Sequence, residues 1–242
     1  MSDVTTAALV GATGGAGTTR TAVELAAALA ADERDVAVLD AAYATQGLAD
    51  YVPGRVDPDV TRLVTDERDA PLGDGLVDLA LDVPGRVACL PARAPFERLA
   101  RAKTAGAARA FEERVDEAAA RFDAVLVDVP PVAANQSAAA VTACERTGLV
   151  APATTRGADA IQTMAARVED VGGDVDAVVS TRGRMQNADA SVPETDARAV
   201  DDAPACLDDA DLAGGVAAVA EALLDVSVSK PEGGLLDSLR VR

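Results

Sequence analysis

Histidine and tryptophan are absent from these 242 residues, and lysine occurs only at Lys103 and Lys230. Without histidine the usual general base near neutral pH is missing, which excludes Ser–His and Cys–His nucleophilic catalysis. Three cysteines, Cys89, Cys144 and Cys206, stand far apart with no CxxC pair. They read as small buried thiols rather than a metal cluster or a disulfide frame. No apolar run reaches the length of about 20 residues that spans a bilayer, and the start "MSDVTTAALVG" carries no basic signal-peptide region. A cytoplasmic location is expected.

Positive charge is scarce: the net charge is −18, arginine supplies nearly all the cations, and aspartate far outnumbers glutamate. With few aromatics and abundant alanine and valine, this composition resembles that of cytosolic proteins from salt-accumulating halophiles. At molar salt the screening length is about 3 Å, so bulk charge says little about partners. No basic stripe is visible, and strong nucleic-acid binding is not expected.

What is present is an alternation of strand and helix patterns. Continuous apolar runs at 4–10, 34–41, 86–92, 123–131 and 146–153 read as buried parallel strands. Further strands are expected at 176–181 and 190–194. Helices are expected over 18–31, 157–173 and 211–224, with a short helix at 73–81 and one long helical region over 95–122. The charges of that region (Glu97, Arg98, Arg101, Glu112, Glu113, Arg114) read as a solvated face with i,i+4 pairs. Such alternation predicts an α/β fold, a doubly wound, mostly parallel sheet with helices on both faces. Ligands then bind at the carboxyl ends of the strands, where the loops 11–19, 40–47 and 128–136 open. The folded domain is expected over 1–225, with a flexible tail over 226–242.

The stretch "ALVGATGGAGTTRTAVELAAALA" (8–30) places a glycine-rich turn between a strand and a helix. As a P-loop, Gly14, Gly15 and Gly17 bring backbone close to a polyphosphate, with Ala16, and the helix starting near Thr18 and Thr19 presents free N–H groups to it. Asp40 and Asp128 each end a hydrophobic strand and, with the Thr19 hydroxyl, form a candidate Mg²⁺ set. As a dinucleotide site, Gly11, Gly14 and Gly17 give GxxGxxG with Asp40 placed for a ribose hydroxyl, and "VGATGGAG" resembles short-chain dehydrogenases. Their Tyr-x-x-x-Lys pair is missing, since Tyr43 is followed four residues on by Gly47 and Tyr51 by Arg55. A third reading leaves the glycines to a tight turn and the aspartates as caps at strand ends.

"FDAVLVDVPP" (122–131) resembles the second switch of the MinD/ParA group of deviant P-loop ATPases, "VAVLDAAYATQGLADYV" (36–52) is similar to their first switch, and "ASVPE" (190–194) to the stretch bordering adenine. The resemblance keeps one order over residues 4–225. It implies a P-loop fold, a site for ATP and Mg²⁺, and ATP-dependent dimerisation as a homodimer or with an active MinD/ParA-like partner. It also implies that Thr181, where the group has its adenine-reading asparagine, and Pro193 border the nucleotide.

The departures from that pattern fall on charge. The group's loop reads GKGGxGKT[ST]; Thr13 and Thr18 stand where its two lysines do, and Ala42 stands where the water-positioning aspartate does. Arg20 lies about 200° around the helix from Thr18. The resemblance therefore implies a degenerate site, with hydrolysis lost and binding of ATP and Mg²⁺ weak or lost. The tail "KPEGGLLDSLRVR" is too short and too weakly basic for firm anchoring, so membrane contact through 231–242 is not expected. An active ATPase with cations supplied in trans and an NAD(P)-binding sensor are the competing readings.

Overall fold

The computed structural model describes residues 5–229. Fifteen strands and helices follow one another as β1 (Thr5–Gly11), α1 (Thr18–Ala31), β2 (Asp35–Asp40), α2 (Val60–Leu63), β3 (Val77–Asp78), β4 (Arg86–Leu90), α3 (Phe96–Ala102), α4 (Ala105–Ala119), β5 (Ala124–Val129), α5 (Asn135–Thr142), β6 (Arg146–Pro152), α6 (Thr155–Asp170), β7 (Ala177–Thr181), β8 (Ala190–Val192) and α7 (Ala210–Leu224). Their strands form one eight-stranded sheet ordered β3-β4-β2-β5-β1-β6-β7-β8. Every pairing is parallel except β3 with β4.

The apolar runs explain the interior strands. From Thr6 to Gly11 every residue of β1 is buried, and so is every residue of β5. Helices cover both faces of the sheet. On one face α1 and α7 pack Leu25, Leu29, Val216, Val219 and Leu223 against it; on the other, α4 and α6 contribute Phe111, Val115, Met164 and Val168. Since β1 lies between β5 and β6, the loops after β1, β2 and β5 meet at the carboxyl edge of the sheet.

Three expectations are corrected. The region 95–122 is two helices, because Thr104 accepts a hydrogen bond from the Ala107 N–H and so caps a fresh start for α4. The segment 73–81 is not a helix: a 3₁₀ turn at Leu72–Asp74 leads into β3, whose Val77 and Asp78 pair antiparallel with Cys89 and Ala88. Arg114 does not join a solvated face. It is buried, donating to the carbonyls of Leu63 and Arg68 and pairing with Glu117 at 2.7 Å. Helices α2 and α5 have no counterpart among the sequence expectations, being too short for helical periodicity to show.

Among the described residues no helix is long and apolar enough to cross a membrane. The stretch 231–242 lies outside the described residues. Cys89 and Cys206 are buried and Cys144 is half-buried, all three as free thiols.

Candidate nucleotide-binding site

The turn after β1 is held open by its own backbone. Gly15 and Gly17 sit at φ +71° and +89°, where a side chain would be strained, and a Cβ at Gly14 or Gly15 would meet nothing within 4 Å. Gly17 caps α1 with no side-chain hydrogen bond, and the first turn of α1 carries no acidic residue. The first α1 amides therefore have no intrahelical acceptor, and no acidic residue of α1 itself sits beside the positive end of the helix dipole. Thr18 and Thr19 of this first turn line a cleft of about 410 Å³, together with Gly14, Gly15, Ala16, Thr45, Gly47 and Asp128.

Two of the predicted metal-set members meet in this cleft. Thr19 Oγ1 donates to Asp128 Oδ2 at 2.6 Å. With its proton committed to the carboxylate, the hydroxyl keeps its lone pairs for a cation. Burial raises the Asp128 carboxyl to about pKa 6, while the Thr19 hydrogen bond pulls the other way. Asp40 behaves differently. It is paired in register with Asp128, is fully buried, and does not line the cleft. Its oxygens accept the N–H groups of Ala42 at 2.7 Å and Ala92 at 3.2 Å, tying the end of β2 to the end of β4. Burial, and then the neighbouring Asp128 charge, hold its carboxyl well above the usual range. In this structure Asp40 is a strand-end cap.

A second cavity of about 470 Å³ adjoins the cleft, sharing Gly17, Arg20, Tyr51 and Arg182 with it. Thr181 and Pro193 line it, so all the predicted nucleotide-contacting residues, Gly14 to Thr19 with Thr181 and Pro193, border the two cavities. The Thr181 hydroxyl is already engaged, donating to the Ala16 carbonyl at 2.7 Å. It secures the glycine turn to the end of β7.

The strand order, the open turn before α1 and the Thr19–Asp128 pair at the switch point together describe a P-loop architecture. The sequence matches no protein-family model and no curated protein. Solved structures do match. One is from the MinC:MinD cell division protein complex of Aquifex aeolicus, with TM-score 0.73 and 18% identity over 93% of this chain and 98% of that one. The fold is that of the MinD/ParA group. The septum site-determining protein MinD of Pyrococcus horikoshii, solved with Mg-ADP, gives TM-score 0.66 at 18% identity, covering 79% of this chain and 82% of that chain. Cobyrinic acid a,c-diamide synthase of Mycobacterium smegmatis, with ADP and magnesium, gives 0.66 at 17%, covering 90% and 95%.

On this fold the two threonines of the glycine turn can be located. Thr13 lines the cleft, and the Thr18 hydroxyl turns inward, 2.8 Å from where a Cβ on Gly11 would stand. Arg20 is engaged away from the glycine turn. Its Nε donates to buried Glu24 at 2.5 Å and its Nη1 to the Ala199 carbonyl at 3.1 Å. Glu24 in turn accepts the N–H groups of Ala205 and Cys206, so this pair anchors α1 to the segment before α7.

One residue of the site escapes sequence reasoning. Arg182, just past β7, donates from Nη2 to the Gly15 carbonyl at 2.7 Å. Its only trace in the chain is a basic residue directly after a strand, in "VVSTRGR".

Proposed function

We propose that this protein binds a nucleoside phosphate with Mg²⁺ in the cleft before α1 but does not turn it over at a useful rate, and that it serves as a regulatory or scaffolding partner in spatial organisation of the division-site or chromosome-partitioning kind. Pairing, in a homodimer or with an active MinD/ParA-like protein, is part of the same reading. The observation that carries it is a glycine turn bordering a cleft before α1, with first-turn amides that have no intrahelical acceptor and with no cationic side chain within the loop.

Binding and catalysis separate at this point. Amides at a helix tip, together with Thr19 and Asp128 around a Mg²⁺, hold a phosphate that is already charged. The metal would neutralise phosphate charge there. Transfer needs more, because charge shifts among the phosphoryl oxygens as the bond breaks, and fixed cations stabilise that shifting charge more strongly than any other group in such a site. Losing one well-placed donor typically costs about two to three orders of magnitude in rate. Thr13, Thr18 and Ala42 remove two cations and a water-orienting carboxylate together. The Thr19–Asp128 contact at 2.6 Å, beside the first turn of α1, favours this P-loop reading over a dinucleotide site.

The test is a calorimetric titration with ATP·Mg²⁺ and ADP·Mg²⁺ at molar KCl, alongside a phosphate-release assay on the same preparation. Saturable binding without measurable release is expected. Turnover at the rate of an active P-loop ATPase would overturn the loss of catalysis, and no heat with either nucleotide up to millimolar concentrations would overturn the binding.

A further inference from the structure

Arg182 stands on the strand edge opposite the glycine turn and reaches back over it. The residue takes φ +56°, unusual for a side-chain-bearing residue, and Gly183 follows at φ +136°. That backbone turns the guanidinium to the loop, where Nη2 meets the Gly15 carbonyl and lies 3.9 Å from where a Cβ on Gly17 would stand. The side chain lines both the phosphate cleft and the adjoining cavity.

The other arginines of these two cavities are already paired. Arg20 is paired with Glu24 through Nε, although its buried Nη2 has no hydrogen-bond partner among the described residues, and Arg198 is paired with Glu194 at 2.7 Å. Among the described residues, Arg182 makes no ion pair with any carboxylate. A chain with net charge −18 thus leaves an uncompensated guanidinium on the lip of a cradle whose own loop bears no cation. A guanidinium has five donors, and the Gly15 contact uses one of them, leaving the planar fork that suits phosphate oxygens.

We propose that Arg182 is the phosphate-binding cation of this site, supplied in cis from the end of β7 in place of a loop lysine. It takes the phosphate oxygens nearest the boundary of the two cavities, those of a diphosphate group, with the rest of the ligand extending past Thr181 and Pro193. This inference rests on the nucleotide-binding reading above. It removes the need for a partner to supply the charge for binding, and places the specificity for a phosphate over a neutral ligand in one side chain.

The test is calorimetric titration of ADP, inorganic pyrophosphate and adenosine into the full chain, its Arg182→Gln variant, and the double variant Thr18→Lys/Arg182→Gln. Arg182→Gln is expected to weaken ADP and pyrophosphate about tenfold, the loss of a charge-assisted contact, while leaving adenosine unchanged. Returning a lysine to the loop in the double variant restores ADP affinity to within about threefold of the parent. Recovery by a charge placed elsewhere separates a role in binding from one in merely bracing the Gly15 carbonyl. Equal binding by the parent and Arg182→Gln overturns the inference while leaving the nucleotide reading intact, as does failure of Thr18→Lys to recover the loss. A parent chain that binds neither ADP nor pyrophosphate overturns both.

Discussion

Asp59 carries more of the molecule than its place in an irregular connection suggests. It is buried, caps α2 by accepting the Arg62 N–H, and also accepts from the Thr61 hydroxyl and the Arg93 N–H at 2.7 Å each, with Arg98 at 3.2 Å. Removing it orphans buried donors and leaves Arg98 unpaired. Asp59→Ala should therefore lower stability by about 3 kcal/mol, read from denaturant midpoints at fixed KCl. Buried carboxylates such as Asp40, Asp59 and Asp128 are the same residue type as the acids of the surface, and nothing local in the sequence separates a cap from a ligand. Asp40 and Asp128 both lie at strand ends, and it is the N–H groups of Ala42 and of Ala92, just past β4, that tie up the Asp40 carboxylate.

At the scale of elements, α7 offers a controlled comparison. Gly214 and Gly215 are adjacent in the helix, but a Cβ on Gly214 would meet nothing within 4 Å, whereas one on Gly215 would stand 2.7 Å from the Ser191 carbonyl and 2.6 Å from Pro193 Cδ. Gly214→Ala is expected to stabilise the protein by about 0.5–1 kcal/mol through helix propensity. Gly215→Ala should push α7 off β8, lower the melting temperature and disturb the cavity that Pro193 lines. Thermal melts of the two variants side by side check the pair. The split of 95–122 into α3 and α4 belongs to the same scale: apolar periodicity runs through both, and the break is set by Thr104, an ordinary capping residue easily read as helix interior.

For the whole molecule, two aspartates lie side by side in the centre of the sheet, and their titration leaves a mark on stability. Burial raises both carboxyls, Asp128 to about 6 from an ordinary 3.8. The folded state therefore keeps protons that the unfolded chain has already released. With divalent metal chelated, this contribution is full below about pH 4 and is lost as pH rises through about 6. Melting temperatures at constant KCl should fall over that window, and Asp128→Asn should flatten the fall. A rise across the same window would show that other carboxylates govern the titration.

The chain by itself determined the alternation of buried strands and covering helices, because short apolar runs bounded by turn residues alternate with longer segments of helical period, the pattern of a parallel sheet covered on both faces. It determined the open glycine turn too, and the absence of loop lysines, since both are local. Tertiary structure decided which distant groups meet there. Arg182 reaches Gly15 from 167 residues away, Thr19 finds Asp128 across 109, and Asp40 turns from the cleft to Ala92 across 52. Charge and hydrogen bonding act through space, and spacing along the chain cannot show which carboxylate is bound up with backbone and which guanidinium is without a carboxylate partner among the described residues.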